Sequence, residues 1–213
     1  IFVIALFQFT NLDIFIQSYF YNFETKIWLI DKDEPILKLL LYDGLKNLLI
    51  LFAVGILFSL IFFRKNRIIQ EYKKGLLIVL LSAIFIPLII GSLKAITNTP
   101  CPCNIIHFGG TYPDIKVFDS YPKDFIQTSK IKCWPAGHAS GGFALMALFF
   151  LFKTPSNKKK ALIGGLIVGL SMGTYKMLLG DHFFSHTIIT MLISWIIILV
   201  IVKFIQNQPK VKH

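Results

Sequence analysis

Long apolar runs separated by short, strongly basic stretches set the pattern of this chain. Leu39–Phe63, Gly75–Leu93, Gly137–Phe152, Ala161–Tyr175 and Ser185–Ile205 are nearly continuous in Leu, Ile, Val, Phe and Ala. A helix of about 20 such residues matches the hydrocarbon thickness of a bilayer. The apolar Ile1–Phe9 reads as the end of a further span that begins before the sequence does. The pattern therefore predicts an all-α, polytopic bundle of six transmembrane helices, the first truncated, forming one domain with both ends on the same side. Pro87 falls late in the third span, where a kink is tolerable. Asn11–Lys38 mixes aromatics with Asp13, Glu24, Asp31, Asp33 and Glu34, and predicts an outer loop with one or two short interfacial helices. Lys94–Trp134, rich in Pro, Gly, Asp and Cys, is a second outer loop, and loops of this length tend to carry function or stay disordered.

Composition changes this picture little. The 213 residues are 55% hydrophobic with a mean hydropathy of +0.68, which excludes an ordinary soluble domain. Charge adds an orientation. Of the 22 cations, twelve fall in the segments Arg64–Lys74, Lys153–Lys160 and the C-terminal tail, Lys210 and Lys212 among them. Only one of the 11 acids, Glu71, joins them, so these segments carry the whole net charge of +11. The positive-inside rule makes that face cytoplasmic, and a nucleic-acid partner loses its main support.

Chemistry collects on the other face. His107, His138, His182 and His186 lie in outer loops or at outer helix ends, and Lys94 and Lys176 end spans there. In Tyr175–His186, YKMLLGDHFFSH, the two histidines stand four apart, so a helix beginning after Gly180 sets both imidazoles on one face. A cation, a histidine and a second histidine behind it can hold an oxyanion, attack it and keep the attacking ring oriented. In Trp134–Gly142, WPAGHASGG, a proline followed by small residues opens a helix whose first amides point outward and attract an anion. His138 stands beside that anion as a proton donor.

These segments resemble the type-2 phosphatidic acid phosphatase superfamily, whose pattern has three parts. The first, Lys, six residues, Arg-Pro, reads Lys94 to Cys101-Pro102 here. The second, Pro-Ser-Gly-His, reads Pro135-Ala136-Gly137-His138. The third, Ser-Arg, five residues, His, three residues, Asp, reads Tyr175-Lys176, then His182 and His186. Cys101, Lys176 and His186 replace the family's Arg, Arg and Asp. The match is closer to a membrane-associated acid phosphatase subgroup with Pro-Ala-Gly-His-Ala-Ser and Gly-x-His-Phe-x-Ser-His motifs. The resemblance implies His182 as a nucleophile forming a phosphohistidine, His138 as proton donor and His186 as the group orienting His182. It also implies phosphate contacts from Lys94, Lys176, Gly137 and Ala136, with no metal and no cofactor. Lys in place of Arg keeps the charge and loses the bidentate fork. All three cysteines lie outside, where disulfides form. Cys133 is expected to pair with Cys101 or Cys103; Cys101 is the partner chosen, because that bridge joins the first motif to the second.

Plainer readings stand beside these. Histidines four apart are also a metal-ligand spacing, and Cys101, Cys103 and His107 could hold zinc. Lys94 and Lys176 could merely snorkel. Ser140 either replaces the hydroxyl missing at Ala136 or packs. Asp181 is expected to cap the last helix, and His107 with Gly109-Gly110 to form a turn at the site rim. The expected function is a metal-independent phosphatase acting on a membrane lipid phosphate at the outer leaflet of a bacterial inner membrane, facing the periplasm, with lipid A the first candidate. A phosphotransferase with the same intermediate and a non-catalytic lipid-binding relative are the alternatives. Oligomeric state is not readable. A channel is disfavoured by the lack of charge inside the spans.

Overall fold

The computed structural model describes residues 2–32 and 34–207. Asp33, Lys210 and Lys212 lie outside the described residues. Among the described residues, four helices are long and apolar enough to cross a membrane: Pro35–Phe62, Arg67–Ile96, Pro155–Leu178 and Phe184–Gln206. The first of these joins α3 (Pro35–Lys38), one π-type turn (Leu39–Asp43) and α4 (Gly44–Phe62). The others are α5 (Arg67–Ile96), α7 (Pro155–Leu178) and α8 (Phe184–Gln206), with α6 (Gly137–Ala144) between α5 and α7 in the chain.

The helices overrun the predicted spans at their ends. Arg67, Lys73 and Lys74, expected in a loop, form the first turns of α5 because Asn66 caps them, its side chain accepting from the Ile68 amide at 2.9 Å. The 30 residues of α5 run for about 45 Å. α6 is different. Its eight α-helical residues continue into six of 3₁₀ helix, Leu145–Phe150. The larger rise of 3₁₀ backbone stretches these 14 residues to about 24 Å. At the N-terminus, α1 (Phe2–Phe9) and α2 (Leu12–Ser18) precede a two-stranded hairpin, β1 (Tyr21–Asn22) paired with β2 (Ile27–Trp28). The hydropathy pattern does not foresee that hairpin. Its turn is held by the Asn22 carboxamide oxygen, which accepts from the Glu24 and Thr25 amides at 2.9 and 3.0 Å.

One core runs the length of the bundle. Ile78, Val79, Ile86 and Ile90 of α5 meet Phe143 of α6 and Ile198 and Val202 of α8. Gly165, Gly169 and Gly173 form a four-residue repeat on one face of α7. It lets backbones approach where lipid gives no hydrophobic drive for helix pairing. A Cβ on Gly165 would lie 2.6 Å from the Met146 nitrogen, and one on Gly169 would enter the Phe143 ring. Gly142 faces Gly169 and Met146 faces Gly165, so α6 and α7 are antiparallel. This arrangement brings the end of α5, the start of α6, the end of α7 and the start of α8 to one end of the bundle. The Glu71–Lys153 ion pair lies at the other.

Replacing Gly165 by Ala forces backbone apart, and a loss of about 1–3 kcal/mol is expected. The neighbouring Gly164→Ala meets nothing within 4 Å and should be neutral or slightly stabilising. Thermal midpoints of the two purified variants in one detergent decide the matter; equal losses would remove the seam as the cause.

Candidate active site

The turn between α7 and α8 carries most of the site. Gly180 takes a left-handed conformation (φ 73°). Its amide donates to the Met177 carbonyl, and the Asp181 amide to the Lys176 carbonyl, both at 2.9 Å. This is the Schellman pattern, in which a glycine just past the helix satisfies the last carbonyls. A side chain at Gly180 would also collide with the Trp28 indole, so two independent constraints select glycine there. The cap sets Asp181 against Lys176, carboxylate to ammonium at 3.0 Å, and Lys32 reaches the other carboxylate oxygen at 3.0 Å. Burial opposes charge on Asp181, but the hydrogen bonds from Lys176 and Lys32 outweigh it and hold the carboxyl below its usual range. Asp181 thus pairs two lysines and does not cap α8.

The α8 cap comes from far away in sequence. No side chain at Phe183 serves; instead Asp13 of α2 accepts the Ser185 amide at 2.9 Å. Burial pushes the Asp13 carboxyl up to about 6, against the hydrogen bonds from Ser185 that favour its charge. Gln17, one turn on, donates to the Met177 carbonyl at 2.7 Å. The N-terminal segment is therefore bonded over both sides of the turn.

The start of α6 is tied to α8 and to the long loop. The Ala136 amide donates to the His186 carbonyl at 3.3 Å, and Thr190 Oγ1 to the Ala136 carbonyl at 3.3 Å. Cys133 is bonded to Cys101, and its amide donates to the Thr99 carbonyl at 3.1 Å. Cys103 is free. Gly137 packs against Lys94, whose Cδ lies 3.7 Å from where a Cβ would stand.

Three imidazoles result in one row. Ring centroids of His138 and His182 are 5.9 Å apart, and those of His182 and His186 are 5.7 Å apart. His182 Nδ1 lies 3.4 Å from His186 Nδ1, so one ring donates there and His182 Nε2 takes no part in that contact. Burial first, then the neighbouring His186, Lys94, His138 and Lys176, keep His182 neutral well below the usual histidine range. His138 Nε2 meets the Tyr42 hydroxyl at 3.1 Å, while its buried Nδ1 has no protein partner among the described residues. Tyr42 also lies under Lys176, with Nζ 4.6 Å from the ring centre.

A cavity of about 580 Å³ opens from the His138 end of this row between α4, α5 and α6, and His182 and His186 lie behind its lining. Tyr42, Lys46, Lys94 and His138 line its polar end; residues such as Leu49, Ala53, Val79 and Ala83 line the rest. Tyr42, Lys46 and Asp13 have no motif that would single them out in the sequence. Of the other expected groups, His107 stands apart, exposed, its ring edge-on to Phe23 and Phe108. Ser140 Oγ is spent on the Gly137 carbonyl at 2.6 Å. Cys101 cannot join Cys103 and His107 in a zinc site while its sulfur is in a disulfide.

Asp13 gives a pH test. The folded carboxyl holds its proton up to about pH 6, the unfolded one only to 3.8, so stability falls as pH rises between those values. Asp13→Asn keeps an oxygen for the Ser185 amide and removes the charge. The variant should match the wild type at pH 3.8 and exceed it above pH 6 by up to about 3 kcal/mol. Unfolding midpoints that run parallel across this range would contradict that assignment.

A family model described as the PAP2 superfamily matches residues 75–210. No curated protein and no solved structure matches the chain significantly.

Proposed function

The chain belongs to the PAP2 superfamily, and on that footing we propose that it is an integral membrane lipid phosphatase working through a phosphohistidine. The observation that carries this reading is the row of His138, His182 and His186 beside Lys94 and Lys176, with His138 and Lys94 lining an apolar cavity. His182 Nε2 attacks phosphorus; the bond to the lipid oxygen breaks, and His138 gives that oxygen its proton. Water then attacks the phosphohistidine, losing a proton to His138 and releasing phosphate. His186 accepts the Nδ1–H of His182, which keeps the Nε2 lone pair on the attacking atom. Lys94, Lys176 and the unpaired Gly137 amide at the start of α6 hold phosphate oxygens. Ala136 contributes position, its amide being committed to His186. Two fixed ammonium groups supply the positive charge a metal would otherwise bring, so turnover is metal-independent.

The cavity supports a lipid. Its lining residues on α5, Val79 to Lys94, cover about 22 Å of helix, a slot for an acyl or prenyl tail whose phosphate ends among the lysines. In this reading α1 and the stretched α6 complete six crossings. The basic end faces the cytoplasm and the site faces the periplasm of a bacterial inner membrane. Lipid A is the first substrate to assay.

His182→Ala should lower phosphate release from a lipid substrate by about a thousandfold or more, and a chelator should leave the wild type unchanged. A metal requirement, or an active His182→Ala, would sink the mechanism. Since His182 stays neutral well below 6.5, kcat/KM should not fall with its protonation until the pH is well under that value.

Filling the slot tests the substrate class. Ala83→Trp should raise KM for a long-chain lipid phosphate and leave hydrolysis of a small aryl phosphate within about twofold. Equal damage to both substrates would argue against a tail in the cavity.

A further inference from the structure

Cys133 Sγ, His182 Nδ1 and His186 Nδ1 converge on one buried point. The sulfur lies 3.5 Å from His182 Nδ1, which lies 3.4 Å from His186 Nδ1. The sulfur and one ring nitrogen of each histidine all fall within 4.8 Å of one another. A tetrahedral zinc ion, with bonds of about 2.3 Å to sulfur and about 2.0–2.1 Å to nitrogen, sets S···N near 3.6 Å and N···N near 3.4 Å. The two measured pairs already stand at those separations. Exposure is 0% for Cys133 and 2% for each histidine, so the three rest in fixed packing.

In the oxidised chain the sulfur cannot act as a ligand, because its valence is filled by Cys101 and it offers no thiolate. We propose that reduction of the Cys101–Cys133 disulfide converts this cluster into a site for zinc or a similar thiophilic divalent ion. Its protein ligands are the Cys133 thiolate and the Nδ1 atoms of His182 and His186, and a metal bound there stops turnover. The Cys133 backbone stays anchored beside the histidines after cleavage, since its amide is held by the Thr99 carbonyl independently of the bridge. One thiolate and two imidazoles suit zinc and cobalt, with water as the fourth ligand.

The chemistry balances. A dithiol or phosphine reductant supplies two electrons, the S–S bond breaks, and two protons complete the thiols of Cys101 and Cys133. The incoming ion displaces the Cys133 proton to solvent. A neutral imidazole carries one N–H. With His182 Nδ1 on the metal, that proton sits on Nε2, and the lone pair assigned to the attack on phosphorus is gone. Reduction alone leaves the contact between the two Nδ1 atoms intact, so the metal removes the nucleophile and reduction only admits the metal. The site itself follows from geometry; its effect on turnover rests on the phosphatase reading above.

The test uses the purified full chain in detergent, reduced with a phosphine, desalted and titrated with Co²⁺. About one ion per chain is expected, with thiolate-to-cobalt absorption and tetrahedral d–d bands, displaced by Zn²⁺. Oxidised protein should take up none. The double variant Cys101→Ser/Cys103→Ser, with Cys133 as its one thiol, should bind without reductant. Adding Cys133→Ser should abolish the thiolate band, and His186→Ala should weaken binding about tenfold or more. Zn²⁺ should abolish phosphate release from reduced protein, a chelator should restore it, and oxidised protein should be indifferent. Reduced protein that binds no stoichiometric Co²⁺, or binds it without the thiolate band, overturns the site; should the double variant misfold, the reduced wild type still separates these outcomes. Stoichiometric binding with turnover intact overturns the inhibition. Protein inactive in every state fails the phosphatase reading alone, and the cobalt titration still decides the site.

Discussion

The left-handed turn at Gly180 is the constraint on which the site depends. It ends α7 by satisfying the carbonyls of Lys176 and Met177, and in the same stroke fixes the side chain of Lys176 against Asp181. Only after that reversal does the chain deliver His182 inward and start α8, whose first turn carries His186. The Trp28 indole occupies the volume a side chain at 180 would need, and Cys103 donates its amide to the Gly180 carbonyl at 2.9 Å. Three parts of the chain distant in sequence thus meet on one residue without a Cβ.

Around that turn, the balance of charge and burial favours a neutral His182 ring between fixed cations. Asp181 is shared between Lys32 and Lys176, so Lys176 is anchored without being surrounded by acid. Lys94 sits beside a glycine, Gly137, and faces the helix start of α6. Buried beside two ammonium groups, His182 resists protonation, which suits attack by its nitrogen. The cavity continues from these charged groups into Leu, Val and Ala, a change in polarity along one slot that mirrors the head and tail of a phospholipid.

Much of this was legible in the sequence. Hydropathy located the long helices, and the basic loops put the histidine-bearing ends together on the opposite side. The three spaced motifs named the residues that the fold gathers, because each motif is local: a helix end, a helix start, a turn. What the sequence hid depends on contacts between remote segments. The Asp13–Ser185 bond spans 172 positions and the Gln17–Met177 bond 160, and no period or spacing marks either. Tyr42 reads as an ordinary aromatic at a membrane boundary until His138 is found against it. The glycine repeat of α7 was visible at 165, 169 and 173, yet only the facing Phe143 and Met146 give it meaning. Helix limits ran long for a simple reason: Asn66 and Thr154 cap helices inside what charge alone assigns to loops.

α4 holds the slot closed on one side with very little adhesion. It buries a single residue, Ile56, whereas α8 buries ten. Separating α4 from its neighbours therefore exposes little that lipid would not cover equally well, while the glycine seam locks α6 to α7 and the core locks α5 to α8. Lateral admission from the bilayer costs least through this one wall. For the lipid substrate proposed above, approach by sliding sideways would confine the search for the polar end to two dimensions.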